Sequence, residues 1–124
     1  MILTRKHRTN VFRKQIEHEW TEKFWKFIED NPDKEWNWYY LSLNPNITFD
    51  IVIAYPDKPW DWNGLSQNPN ITFDIVLSYP DKPWNWGNLS QNTFSKAKQR
   101  FINKRYKEHL SAYRIQQYWN RAIS

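Results

Sequence analysis

Cysteine is absent from this chain of 124 residues, and glycine occurs only twice. Without thiols there is no disulfide framework and no thiolate metal or redox site. Average usage would place roughly nine glycines in a chain of this length. Gly-rich phosphate loops and most tight β-hairpin architectures are therefore excluded. No stretch approaches the ~20 apolar residues that a membrane span requires. The opening Met1-Ile2-Leu3-Thr4-Arg5-Lys6-His7-Arg8 lacks the apolar centre of a signal peptide. A location inside the cell, not a secreted one, is the expectation. His7, His18 and His109 are scattered, so no metal and no cofactor is expected.

Aromatic residues are abundant: nine Trp, seven Tyr and seven Phe, 19% of the chain. Disordered chains are poor in such residues, and the length suits a single core. The aromatics recur with a fixed period. Residues 31–54 read NPDKEWNWYYLSLNPNITFDIVIA and residues 55–78 read YPDKPWDWNGLSQNPNITFDIVLS, identical at 16 of 24 positions without a gap. A third copy begins at Tyr79 and departs after Asn92. The pairs Trp36/Trp38, Trp60/Trp62 and Trp84/Trp86 mark the period. Shifted back by 24, Phe49, Ile51 and Val52 land on Trp25, Phe27 and Ile28, so residues 20–30 form a divergent half-repeat. Period and gradient together divide the chain into an N-terminal basic arm and capping helix (1–30), tandem repeats (31–92) and a C-terminal segment (93–124).

The segment Ile47-Thr48-Phe49-Asp50-Ile51-Val52-Ile53-Ala54-Tyr55 alternates like a half-buried strand. Its flanks read as a helix instead: Asn44 as cap, Pro45 in the first turn, Asp50 near the N-terminus and Pro56 as a stop. The equivalent residues 21–30 are rich in Glu and Lys, which favour helix. Phe12, Ile16, Trp20, Phe24 and Ile28 recur every four residues. Equivalent positions of a solenoid share a structure, which predicts an all-α fold, a short αα-solenoid with capping helices at both ends. A β-solenoid is the alternative. A second short helix is expected over 59–66, with Pro59 in its first turn. The predicted repeat core is Trp36, Leu41, Phe49, Trp60, Leu65, Phe73, Trp84 and Leu89, because one unit cannot bury its apolar face without its neighbours.

From Phe94 to Ser124 there is neither Pro nor Gly, and apolar residues recur at helical spacing. An amphipathic helix is predicted, capped by Asn92 or Thr93, broken near Ser111 and folding back over the last repeat through about residue 110. Charge follows the same division. Residues 96–124 carry eight Lys/Arg against Glu108 alone, whereas residues 20–95 carry five Lys against ten acids. Lys96, Lys98, Arg100, Lys104, Arg105, Lys107 and Arg114 are candidate contacts for nucleic acid or an acidic partner. Ile115 and Trp119 are the candidate partner-facing residues.

The words PDKPW(D/N)W, LSxNPNITFDIV and HLSAYRIQQYW together resemble a class of tryptophan-rich repeat proteins encoded by giant double-stranded DNA viruses of the mimivirus and marseillevirus kind. Such proteins carry tandem units similar to NPDKPWDWxxLSxNPNIT. The resemblance spans roughly residues 30–120. It implies a viral source, with the infected host cytoplasm or the virion as location, more than an activity. The array here is short, two full repeats and a fragment.

No constellation of catalytic residues is evident. Asp61 is replaced by Asn37 and Asn85 in the other copies, which suits a helix cap and not a catalytic acid. The sequons at Asn46, Asn70 and Asn88 are expected to be turn and cap residues. The expectation is a non-enzymatic structural or interaction protein that binds a protein partner or itself, with no small-molecule substrate. A nucleic-acid-binding module using the basic helix is the alternative. A second alternative is a calmodulin or membrane-surface target, because Ile115-Gln116 followed by Arg121 is similar to an IQ-type helix.

Overall fold

The computed structural model describes residues 5–123. Residues 1–4 of the N-terminal arm and Ser124 of the tail lie outside the described residues. The chain runs α1 (Arg5–Glu29), α2 (Trp38–Leu43), α3 (Phe49–Ala54), α4 (Trp62–Gln67), α5 (Phe73–Ser78), α6 (Trp86–Gln91) and α7 (Ser95–Ile123). All seven elements are helices, and no strand occurs among the described residues. The fold is all-α. Repeated short helices pack on one another between two long terminal ones, and the β-solenoid alternative falls.

Each repeat is a pair of six-residue helices, too short to persist in isolation. Local capping and contacts with neighbouring repeats hold them. Asn37, Asp61 and Asn85 are the N-caps of α2, α4 and α6, their side-chain oxygens accepting from backbone N–H groups of the first turn. This explains why Asp and Asn interchange at that position: both supply the acceptor. Two helix starts differ from expectation. Helix α4 begins at Trp62, after Pro59, because Asp61 takes the cap. Helix α3 begins at Phe49 with Thr48 as N-cap. Asn44 instead closes a turn, its Oδ1 accepting from the Asn46 N–H at 2.9 Å.

The strand-like alternation of 47–55 has a simple origin. Ile47 is buried in the turn before α3, while Phe49 and Val52 are buried three residues apart on one face of it. A turn residue followed by a short helix imitates period two over that length.

The core is a file of aromatic rings threaded between repeats. Trp60 lies against Trp25 at 5.5 Å and edge-on to Trp38 at 5.3 Å. One repeat later, Trp84 lies against Phe49 at 5.9 Å and edge-on to Trp62 at 5.0 Å. The indole N–H groups of Trp36, Trp60 and Trp84 donate to the carbonyls of Asn31, Tyr55 and Tyr79, at 2.9, 2.9 and 2.8 Å. Each ring is thus pinned to its own turn, and those of Trp60 and Trp84 are covered by rings from the two units before.

The chain ends of this file depart from the predicted core. Trp36 is half-buried, because no earlier repeat receives it; it meets Phe27 edge-on at 5.7 Å. Phe73 is 52% exposed, where a core position was expected. Its equivalents Trp25 and Phe49 are covered by the tryptophan 35 residues later, Trp60 and Trp84, whereas 35 residues after Phe73 stands Glu108 on α7. Leu41, Phe49, Trp60, Leu65, Trp84 and Leu89 are buried.

Polar struts run beside the rings. The Ser42 hydroxyl accepts from the Asp61 N–H, and the Ser66 hydroxyl from the Asn85 N–H, both at 2.9 Å. The Asn68 amide donates to the carbonyls of Ser42, Asn44 and Ile47 at 2.7, 3.0 and 3.2 Å. Helices α2 and α4 approach so closely at this point that a Cβ on Gly64 would lie 2.6 Å from the Tyr39 carbonyl oxygen.

Helix α7 does not cap the stack as expected. It is unbroken through Ser111, and none of its residues is buried. The contacts of its start are few: Phe94 meets Phe73 edge-on at 5.9 Å, and the Lys96 ammonium donates to the Asn70 side-chain carbonyl. Neither Asn92 nor Thr93 caps it, because Phe94, at φ 47°, intervenes as a left-handed turn residue that redirects the chain. Asn92 instead accepts from the Phe94 N–H at 2.9 Å.

Candidate functional site

Two long helices each carry a row of uncovered apolar residues. On α1, Phe12, Ile16 and Trp20 follow one another at four-residue spacing and are all exposed. Trp20 is anchored at its indole, which donates to Asn46 Oδ1 at 3.0 Å. On α7, Phe101, Ile102, Tyr106, Tyr113, Ile115 and Trp119 are all exposed. At 1.5 Å per residue α7 is roughly 43 Å long. None of that length is buried in the core of this chain.

Helical geometry sorts the side chains of α7. At about 100° per residue, Lys96, Arg100, Lys107 and Arg114 fall within about 40° of one another, with Lys104 at the margin. Successive members Arg100, Lys107 and Arg114 stand seven residues apart, about 10.5 Å along the axis. Phe101, Ile115 and Trp119 flank this basic stripe on one side, and Ile102, Tyr106 and Tyr113 on the other. Lys98 and Arg105 lie on the opposite face, where Arg105 pairs with Glu108 at 3.2 Å. The seven predicted basic contacts thus separate into a stripe of five and two outliers. All seven are exposed, as are Ile115 and Trp119.

The start of α7 and the middle of α1 line one cleft of about 780 Å³ with the NPN turns as its floor. Lys14 and His18 come from α1, Asn46 and Asn70 from the turns, Lys96 and Arg100 from α7. Glu17 and Asp50 share the lining, so the charge is mixed, and His18 is engaged by Glu22 at 3.0 Å. Among the described residues no group of three or more His, Asp or Glu side chains could hold a metal ion. Nor is any described helix long and apolar enough to cross a membrane.

Sequence reasoning missed the struts. Ser42, Ser66 and Asn68 were visible only as residues repeated in every copy; their positions recur as Ser90, Asn44 and Asn92. That identity was the available signal. A polar residue kept in each copy of an internally repeated unit is one that the interface between copies uses. Asn70, one of the sequons, also serves the interface between repeats, since its amide donates to the carbonyls of Pro45 and Ile47 at 2.6 and 2.8 Å.

Comparison with protein-family models, with curated proteins and with solved structures gives no match.

Proposed function

We propose that this chain is a non-catalytic interaction protein, in which a short stack of helical repeats holds out a long basic helix for an acidic protein partner. One observation carries the reading: α7 buries none of its residues while displaying a basic stripe between two exposed apolar margins. A helix that only solvated itself would not need those margins, and one that only tracked phosphates would need the charge alone. Binding a partner through both terms gives an electrostatic on-rate and an apolar hold. The resemblance in the repeat words supports a giant-virus source, and with it a place in the virion or the infected cytoplasm, which proteomics of purified particles tests.

The test of the contact uses the full chain and two variants, K104S/R105S/K107S and I115S/W119S. Fluorescence anisotropy measures binding to an acidic amphipathic peptide and to a short DNA duplex over a range of salt. Peptide binding that falls in both variants and survives moderate salt supports the protein-partner reading. Tight duplex binding that is indifferent to I115S/W119S, with log affinity falling by about 0.9 per neutralised phosphate per decade of salt, replaces it with nucleic-acid binding.

A further inference from the structure

The stack of repeats ends in an unfinished interface. Trp60 is received by Trp25 and Trp38, and Trp84 by Phe49 and Trp62. In both cases the receiving rings stand 35 and 22 residues earlier. The same offsets applied once more point to Phe73 and Trp86. These two rings are 52% and 64% exposed, whereas Phe49 is 5% exposed. The polar half of the interface is unfinished in the same way. The hydroxyls of Ser42 and Ser66 accept a backbone N–H from the following repeat, and the amides of Asn68 and Asn92 reach back to the carbonyls of Ser42 and Ser66. Ser90, their equivalent at the end, is exposed.

The other end of the stack presents the matching set. Trp36 sits in the same turn as Trp60 and Trp84, with its indole bonded in the same way, but half-buried. Asn37 holds the place of Asp61 and Asn85, whose N–H groups meet the serines. Asn44 holds the place of Asn68 and Asn92. One position sets the closeness of approach. Tyr40 stands where α4 has Gly64 and α6 has Asn88. The α2–α4 contact would not admit even a Cβ there, but α6 accommodates Asn88, whose amide donates to the Asn63 carbonyl at 3.2 Å. Tyr40 therefore suits a contact of the α4–α6 kind, which carries a side chain at this position.

We propose that the end bearing Phe73, Trp86 and Ser90 receives the end bearing Trp36, Asn37 and Asn44 of a second copy, continuing the repeat stack head to tail. Continuity with the existing interface identifies the occupant: whatever completes this surface must bring a tryptophan turn, a backbone N–H and an asparagine amide in the repeat's own register. The first repeat of this chain brings all three. Helix α7 leaves the surface accessible, since a cleft of about 310 Å³ remains between Phe73, Trp86, Leu89 and Phe94. Such a contact joins unlike surfaces, so it closes into a ring or runs on as a filament, and either way extends beyond a dimer. It does not rest on the role given to α7.

Sedimentation velocity on the full chain tests this, from about 10 µM to about 1 mM, in about 0.5 M salt so that the charges of α7 are screened. The tail variant is F73S/W86S and the head variant is Y40E, all at exposed positions. Circular dichroism checks that each stays helical; if F73S/W86S does not, W86S alone replaces it. The wild type is expected to gain mass with concentration beyond that of a dimer. Each variant alone should associate at least tenfold more weakly. An equimolar mixture of the two should form dimers and stop there, because one intact head and one intact tail remain per pair. A wild type that stays monomeric throughout overturns the proposal. So does association that both variants retain, or a mixture that remains monomeric.

Discussion

Asn68 is the residue on which the joint between the first two repeats most depends, and its three copies form a graded experiment. It is 1% exposed. Its amide serves three carbonyls of the preceding repeat, and its Oδ1 accepts from the Asn70 N–H at 2.8 Å. Asn68→Ala strands the Ser42 carbonyl and the Asn70 N–H at a site with little access for water, whereas the Ile47 carbonyl keeps the Asn70 amide and the Asn44 carbonyl keeps the Ile47 N–H. Each buried polar group so stranded costs about 1–3 kcal/mol, but the amide has only two protons to share among three carbonyls. A loss of about 3–5 kcal/mol follows, a large part of the total stability of a domain this size. Asn92, half-buried, makes one such bond across repeats, to the Ser66 carbonyl at 3.0 Å, besides its own turn bond to Phe94. Asn92→Ala should cost about 1.5–2 kcal/mol. Among the described residues the Asn44 side chain has the turn bond alone, and Asn44→Ala should cost about 0.5–1 kcal/mol.

Urea unfolding followed by far-ultraviolet circular dichroism measures all three. The order Asn68, Asn92, Asn44 is the prediction. Equal costs at the three positions, or a loss under about 1 kcal/mol for Asn68→Ala, would refute the idea that these amides join the repeats. Asn68→Asp sharpens the test. A carboxylate there would face carbonyl oxygens, which raises its folded pKa above the unfolded value of about 3.9. Below that value both states are protonated and the penalty is small. As pH rises from about 4 through the folded pKa, stability is lost.

Further substitutions separate other contributions. Trp60→Ala removes a ring packed between two others and should cost about 3–5 kcal/mol, read as a lower urea midpoint. Trp25 is buried, and its indole N–H has no partner among the described residues, at a position where the other repeats carry Phe. Trp25→Phe should therefore change stability by less than about 1 kcal/mol, the lost packing offset by removal of the stranded donor. Gly64→Ala should destabilise by about 1–3 kcal/mol despite the better helix propensity of Ala. By contrast Gly87→Ala, whose Cβ meets only Asn85 Oδ1 at 3.3 Å, should be neutral to about 1 kcal/mol stabilising. A chain ending at Phe94 should keep a melting temperature within a few degrees of the whole, since α7 buries none of its residues.

The period of 24 made much of this legible beforehand. It located Trp60, Trp84, Leu65 and Leu89 in the core and the helical half-repeat at residues 20–30, where Trp25 and Ile28 are buried. Its failures share a cause. A repeat tells what an interior copy does, because every interior position has neighbours on both sides. Phe73 and Trp36 have the interior sequence without both neighbours, and each is more exposed than the period implies. The direction of α7 was illegible for a different reason. The amphipathic pattern predicted the helix correctly but not its placement, which depends on a single left-handed residue, Phe94, where the other copies carry Asn46 and Asn70. Asn enters that region readily and Phe does so at a cost, so nothing in the residue types announced the turn.

The same substitution links the two ends of the molecule. Asn70 commits its amide to Pro45 and Ile47 in the preceding repeat. At Phe94 that amide is absent, and the ring packs on Phe73 instead. The exchange stops the polar ladder one step early and covers part of an exposed ring. It also turns the chain out of the stack and into α7. A third full repeat at this point would have extended the body. Instead the chain puts its remaining residues into a basic helix that the body does not cover, and leaves the last aromatic seats, Phe73 and Trp86, open beside it. Asn restored by Phe94→Asn would supply the missing amide and relax the turn. If the turn is what directs α7, that variant should alter the distance between spin labels placed at Glu19 on α1 and Glu108 on α7, with the repeats still melting together. An unchanged distance would mean that Phe94 merely accommodates a path that the Lys96 contact with Asn70 already dictates.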